Sequence, residues 1–194
     1  QEGLPELRSH LEPEALARIH LRIGRLLQAT PQARGEGLFR VTDHLNAARP
    51  LIDGPDGTRE LRDLNLAAGR RARDAAAHEA ADAYLRAAVD LVAERDWQSA
   101  LAEVLRIHAE AAESACAVGD YPRCDALLER ALDAAAAPEH TTLLNRVKLD
   151  SLSAQGRHTE ALDLGRALLA ERGRRYPARP GRRHALAAFA RLRW

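Results

Sequence analysis

Apolar and small residues recur along this chain at i, i+3, i+4 and i+7, the period of a helix buried on one face. Leu16, Ile19, Ile23, Leu26 and Leu27 form a first stripe, opened by Pro13 and closed by Thr30-Pro31. Leu38, Val41, Leu45 and Ala48 mark a second, stopped by Pro50. Gly54-Pro55-Asp56-Gly57 has the chemistry of a loop, and Thr58 is placed to cap a third helix burying Leu61, Leu64 and Ala68. A fourth helix runs from about His78 to Val92 and shows Ala81, Leu85, Ala88 and Val89. Asp96 is placed to cap a longer fifth helix with Ala100, Val104, Ile107 and Ala111. Gly119-Asp120-Tyr121-Pro122 is a turn, and Leu127, Leu128 and Ala131 face inward on the sixth helix. After Pro138, Leu144, Val147, Leu149 and Leu152 build a seventh helix that ends at Gln155-Gly156. Ala161, Leu164 and Leu168 carry the eighth, which stops near Gly173.

The eight helices read as four antiparallel pairs because one spacing recurs. Asn65, Ala68, Gly69, Ala72, Ala81 and Leu85 stand at relative positions 1, 4, 5, 8, 17 and 21. His108, Ala111, Ala112, Ala115, Cys124 and Leu128 repeat it. Asn145, Lys148, Leu149, Leu152, Ala161 and Gly165 repeat it more loosely. This skeleton resembles a tetratricopeptide-type hairpin, in which a small residue seats the second helix on the first. Successive anchors are 43 and 37 residues apart, longer than the regular repeat of about 34. The expected fold is all-α: an α-solenoid of about four such hairpins plus a C-terminal helix. Residues 1–13 read as an entry linker, 14–173 as the repeat domain, and 174–194 as a basic linker and terminal amphipathic helix with Leu186, Phe189 and Leu192.

Composition supports helices. Alanine occurs 40 times and aromatics make up 4% of the chain, which favours close helix approach and disfavours a sheet. The net charge of +1 conceals an asymmetry. Residues 174–194 hold seven arginines and no acid, while the rest carries 22 basic and 28 acidic side chains. The two cysteines, Cys116 and Cys124, make no disulfide framework and read as small packing residues. No apolar run reaches the roughly 18 residues of a membrane span, and no signal-peptide pattern opens the chain. A first residue of Gln1 and the absence of Met suggest either a piece of a longer protein or a sequence lacking its natural start.

Catalytic and ligand patterns are missing. No Gly-rich phosphate loop, zinc-type Cys/His spacing or nucleophile elbow occurs, so the sequence suggests neither enzyme, cofactor nor metal. His20 and His108 fall at first-anchor positions, while His44 and His158 lie near helix ends. Glu110 and Glu113, one turn apart, read as helix-surface charges. The groove-facing offsets of the first helices select Arg18, Arg25, Arg70, Arg73, Arg106 and Arg146, with Glu113 and Asp150. An arginine surplus there would favour an acidic peptide or a phosphate- or carboxylate-bearing effector. The basic tail offers nucleic-acid contact as a third and weaker reading, since no aromatics interleave its arginines.

A wider likeness comes from the sequence between the repeated positions. Ile19-His20-Leu21-Arg22-Ile23-Gly24-Arg25-Leu26-Leu27, His44-Leu45-Asn46, Leu64-Asn65-Leu66-Ala67-Ala68-Gly69-Arg70-Arg71-Ala72, Tyr84-Leu85-Arg86-Ala87, Gly119-Asp120-Tyr121 and Leu192-Arg193-Trp194 occur in this order. Together they resemble the repeat region of large multidomain bacterial signalling ATPases, in which a Ser/Thr kinase or cyclase domain, an ATPase module and sometimes a histidine kinase share one chain. Arg71, Arg73 and His78 depart from that pattern. The resemblance implies a cytoplasmic regulatory arm that contacts a neighbouring ATPase module. None of the kinase or ATPase motifs lies in this chain.

Overall fold

The structure, a computed structural model, describes residues 12–33, 35–135, 137–174, 176, 177 and 181. Among these the chain forms nine α-helices, one 3-10 turn (Arg49–Leu51) and no strand. The helices are α1 (Pro13–Gln28), α2 (Leu38–Ala47), α3 (Gly54–Asp74), α4 (His78–Val89), α5 (Asp96–Ser99), α6 (Leu101–Ala117), α7 (Tyr121–Ala134), α8 (Pro138–Ala154) and α9 (His158–Glu171). Neighbours in sequence pack antiparallel. The expected helix over 182–194 and nearly all of the entry linker lie outside the described residues. Two compact units divide the chain, 1–147 and 148–194, with the boundary inside α8.

The first unit holds three cores in chain order. Val41, Leu45, Leu61 and Leu91 bury one with Ala33. Leu66, Leu85, Ala88, Ile107 and Ala111 bury the second, between α3, α4 and α6. Leu105, Ala112, Cys124, Leu128, Leu144 and Val147 share the third, between α6, α7 and the start of α8. Cys124 is fully buried and Cys116 packs against the same core, as small hydrophobes do.

One turn geometry closes every hairpin from α3 onward. Three residues separate α3 from α4, α6 from α7 and α8 from α9, and the central one is left-handed: Ala76 (φ 56), Gly119 (φ 79) and Gly156 (φ 72). In each, the next amide donates to a carbonyl five residues back: Ala77 to Ala72, Asp120 to Ala115 and Arg157 to Leu152, all at 2.9 Å. This is the Schellman closure of a helix C-terminus. Ala76 is the one non-glycine residue in that conformation among the described residues. Ala76→Gly is therefore expected to stabilise the fold by about 1 kcal/mol, and Gly119→Ala to destabilise it by about the same. Urea denaturation of both variants checks the pair.

Three expectations need correction. Helix α3 begins at Gly54, so residues 54–57 are its first turn and not a loop. Pro55 suits that turn, where its missing N–H costs nothing. Thr58 does not cap; its hydroxyl donates to the Gly54 carbonyl at 2.9 Å. The long fifth helix is two helices, broken at Ala100 (φ −142, ψ 39), and Asp96 is occupied by Arg62 instead of capping. The α1 stripe is not fully buried. Ile19 and Leu26 stay exposed, while Ala17 and Gly24 face inward. Small residues win because a Cβ at Gly24 would sit 2.7 Å from Leu45 Cδ2.

Candidate functional site

Five of the six arginines selected from the sequence lie on α1, α3 and α6, and Arg146 lies on α8. The structure draws three of them into one charge ladder. Arg70 on α3 grips Glu110 on α6 with two hydrogen bonds, at 2.7 and 2.6 Å. Arg73, one turn along α3, donates to Glu113 at 3.3 Å and lies 3.8 Å from Glu110. Glu113 also pairs with Arg146. The bidentate hydrogen bond to Glu110 raises the Arg70 guanidinium above its already high value. Three cations thus face two anions, so the charge offered to a ligand is smaller than the arginine count implies.

The other predicted residues are dispersed. Arg18 is exposed and pairs locally, with Glu14 at 2.5 Å. Arg106 is exposed and lies near enough to Asp63 to favour its carboxylate. Asp150 is exposed on α8. Arg25 joins Gln28 in holding Glu60, at 2.5 and 2.7 Å. That clasp borders a cavity of about 550 Å³ with Ala33, Leu38, Val41 and Leu64 in its wall and Asp56, Arg59 and Asp63 among its polar lining. Partial burial raises the Asp63 carboxyl above its ordinary value, against the pull of Arg62. An apolar floor with mixed charge at its edge suits an amphipathic side chain.

Sequence reasoning read Glu110 as a plain surface charge, placed Glu113 among the groove positions without its partners, and missed the cavity. A signal was available. Asp56, Glu60, Asp63, Ala67 and Arg70 are spaced by four, three, four and three residues and share one face of α3. Which helix supplies the opposite charges is a tertiary matter. Also missed were Phe39 stacked on Tyr84, with ring centroids 5.7 Å apart, and the Tyr84 hydroxyl donating to Asp43 at 2.7 Å.

The anchor histidines are packing groups. His20 and His44 meet across α1 and α2, Nδ1 to Nδ1 at 2.8 Å, so one must be neutral to accept. Buried His108 donates from Nδ1 to the Val104 carbonyl at 2.9 Å and meets Trp97 edge-on. Its Nε2 is buried without a hydrogen-bond partner. Burial lowers the pKa of both His44 and His108 below 6.5; His20 and Arg40 add to the effect at His44, and Arg130 at His108. Unfolded imidazoles take up protons that the folded ones refuse. Stability is therefore full above about pH 6.5 and falls as pH drops through 6.5 toward the lowered folded values. Urea midpoints at about pH 7.5 and about pH 5.5 are expected to show this loss, and His108→Leu to shrink it.

Among the described residues no group of three or more His, Cys, Asp or Glu is placed to hold a metal ion, and no helix is long and apolar enough to cross a membrane. No family model, no curated protein and no solved structure matches the chain.

Proposed function

We propose that this chain is a non-catalytic interaction and regulatory module, a short α-solenoid of tetratricopeptide-like hairpins belonging to a cytoplasmic multidomain signalling ATPase. The observation that carries the solenoid reading is the recurrence of one hairpin turn. Ala76, Gly119 and Gly156 are spaced by 43 and 37 residues, the same intervals that separate the sequence anchors. The cores add support, since each is shared by helices that succeed one another along the chain, as in an array whose repeats contact only their neighbours. The parent ATPase is inferred from the resemblance of the intervening sequence alone.

In this reading a partner segment or the neighbouring ATPase module lies along the face of α3 and α6. It would compete for, or complete, the Arg70–Glu110–Arg73–Glu113–Arg146 ladder. Regulation then requires that the partner prefer one arrangement of module and repeat region. The test is ATP hydrolysis by the parent ATPase module with and without this region, and with Arg70→Glu/Arg73→Glu. A hydrolysis rate indifferent to the region, together with no binding between the two, would refute the proposal. A second reading, a small anionic effector, is favoured by the ladder's odd cation and by exposed Arg106. A thermal-shift screen of carboxylates and phosphates separates it from the first.

A further inference from the structure

The cavity beside α3 has a floor and a charge that the ladder does not explain. Leu38 and Val41 line it as buried residues, and half-buried Leu64 lies with them. Its polar lining sets three carboxylates, Asp56, Glu60 and Asp63, against one guanidinium, Arg59. Glu60 is held by Arg25 and Gln28. Even with Arg25 counted, three anions meet two cations. Asp56 is exposed and, among the described residues, takes part in no ion pair. Asp63 has Arg62 at 3.9 Å, but that guanidinium spends its two terminal nitrogens on Asp96 and Glu103. Partial burial raises the Asp63 carboxyl, and Glu103 adds to this against Arg62, Arg59 and Arg106. A cation seated beside Asp63 would relieve both effects.

We propose that this cavity receives a lysine or arginine side chain of the partner segment, its aliphatic stem on the apolar floor and its cationic head between Asp56 and Asp63. Such an anchor rests on the reading that a partner lies along α3 and α6, and it gives that partner a chemistry. Three observations select it. The surplus of carboxylates calls for a cation. The apolar floor calls for a long stem behind the charge, which Lys and Arg possess. A volume of about 550 Å³ lies in the range of ligand-binding clefts and is ample for one such side chain. Position, finally, favours a side chain over a free amine. Asp63, Ala67 and Arg70 share one face of α3, so the cavity lies about 10 Å along the helix from the ladder. A segment seated on the ladder therefore reaches the cavity. The ladder sets three cations against two anions and favours an acid at its own end. The partner is thus not acidic throughout: it presents a base over Asp56 and Asp63 and an acid toward Arg70, Arg73 and Arg146.

Amide-shift NMR on the full chain tests this, with acetyl-arginine methylamide as the probe and its neutral citrulline counterpart as the comparison. The arginine probe is expected to shift the amides of Leu38, Leu64 and Ala67 saturably and to leave those of α7 unmoved. The citrulline probe is expected to bind about tenfold more weakly. Asp56→Asn/Asp63→Asn is expected to remove that preference. Ala67→Leu fills the cavity from an exposed position and is expected to abolish binding of both probes. No saturable shift, equal binding of the two probes, or shifts that persist in Ala67→Leu overturns the proposal. Pull-down of the parent ATPase module separates this failure from failure of the groove reading. A module that binds wild type and Asp56→Asn/Asp63→Asn equally well overturns the anchor and leaves the groove reading standing. Arginine-selective probe binding without module binding does the reverse.

Discussion

Arg62→Ala is expected to destabilise the fold by about 3–5 kcal/mol, the range for removing one partner of a buried ion pair. Arg62 is 2% exposed on α3. Its guanidinium donates to Asp96 on α5 at 2.8 Å and to Glu103 on α6 at 3.1 Å. Asp96 is itself buried and accepts a second bond, from the Ala93 amide at 3.1 Å. One cation thus ties the loop after α4, the short α5 and the start of α6 to α3. Without it, the buried Asp96 carboxylate loses its main partner. The loss should shrink in Arg62→Met/Asp96→Asn, because the second change removes the orphaned charge. Urea denaturation read by far-UV circular dichroism measures both. A loss under about 1 kcal/mol in Arg62→Ala would show the pair to be far better hydrated than its burial indicates.

Leu85→Ala is the second large effect, expected to cost about 2–5 kcal/mol. Leu85 is fully buried on α4, in the core that α3, α4 and α6 share. It also fills the space that Gly69 leaves open. A Cβ on Gly69 would lie 2.7 Å from Leu85 Cγ and 3.4 Å from the Ala81 carbonyl. Gly69→Ala alone should therefore cost about 1–3 kcal/mol through overpacking, despite alanine's better helix propensity. The two lesions are complementary, so the double variant should be less damaged than their sum. Additive losses would mean that Gly69 and Leu85 do not share one contact.

These residues show how far the linear order reaches. The repeated spacing placed Gly69 and Leu85 among its positions, and the structure packs the one against the other where α4 lies on α3. The spacing also named Asn65, which is buried and exchanges side-chain amide bonds with Asn46 at 2.7 and 2.8 Å. Periodicity succeeds for such positions because a buried helix face must repeat with the helix. It does not name Arg62. An arginine on an otherwise apolar face looks like a surface residue until the helix that supplies Asp96 is folded against it. The candidate groove behaves in the same way. Arg70, Arg73 and Arg146 were legible as cations on first helices, but their neutralisation by Glu110 and Glu113 was not. That pairing joins residues 33 to 40 positions apart, across helices whose rotation is set by packing.

Linear order alone was enough for most of the helices, the turns between them and the interval at which the hairpins recur, because helix period, Pro and Gly positions and small-residue seats act over a few residues. Folding in three dimensions settled the rest: which charges are spent internally and where a cavity opens beside α3. Those depend on the relative rotation of helices, which depends on how side chains distant in the chain fill common space.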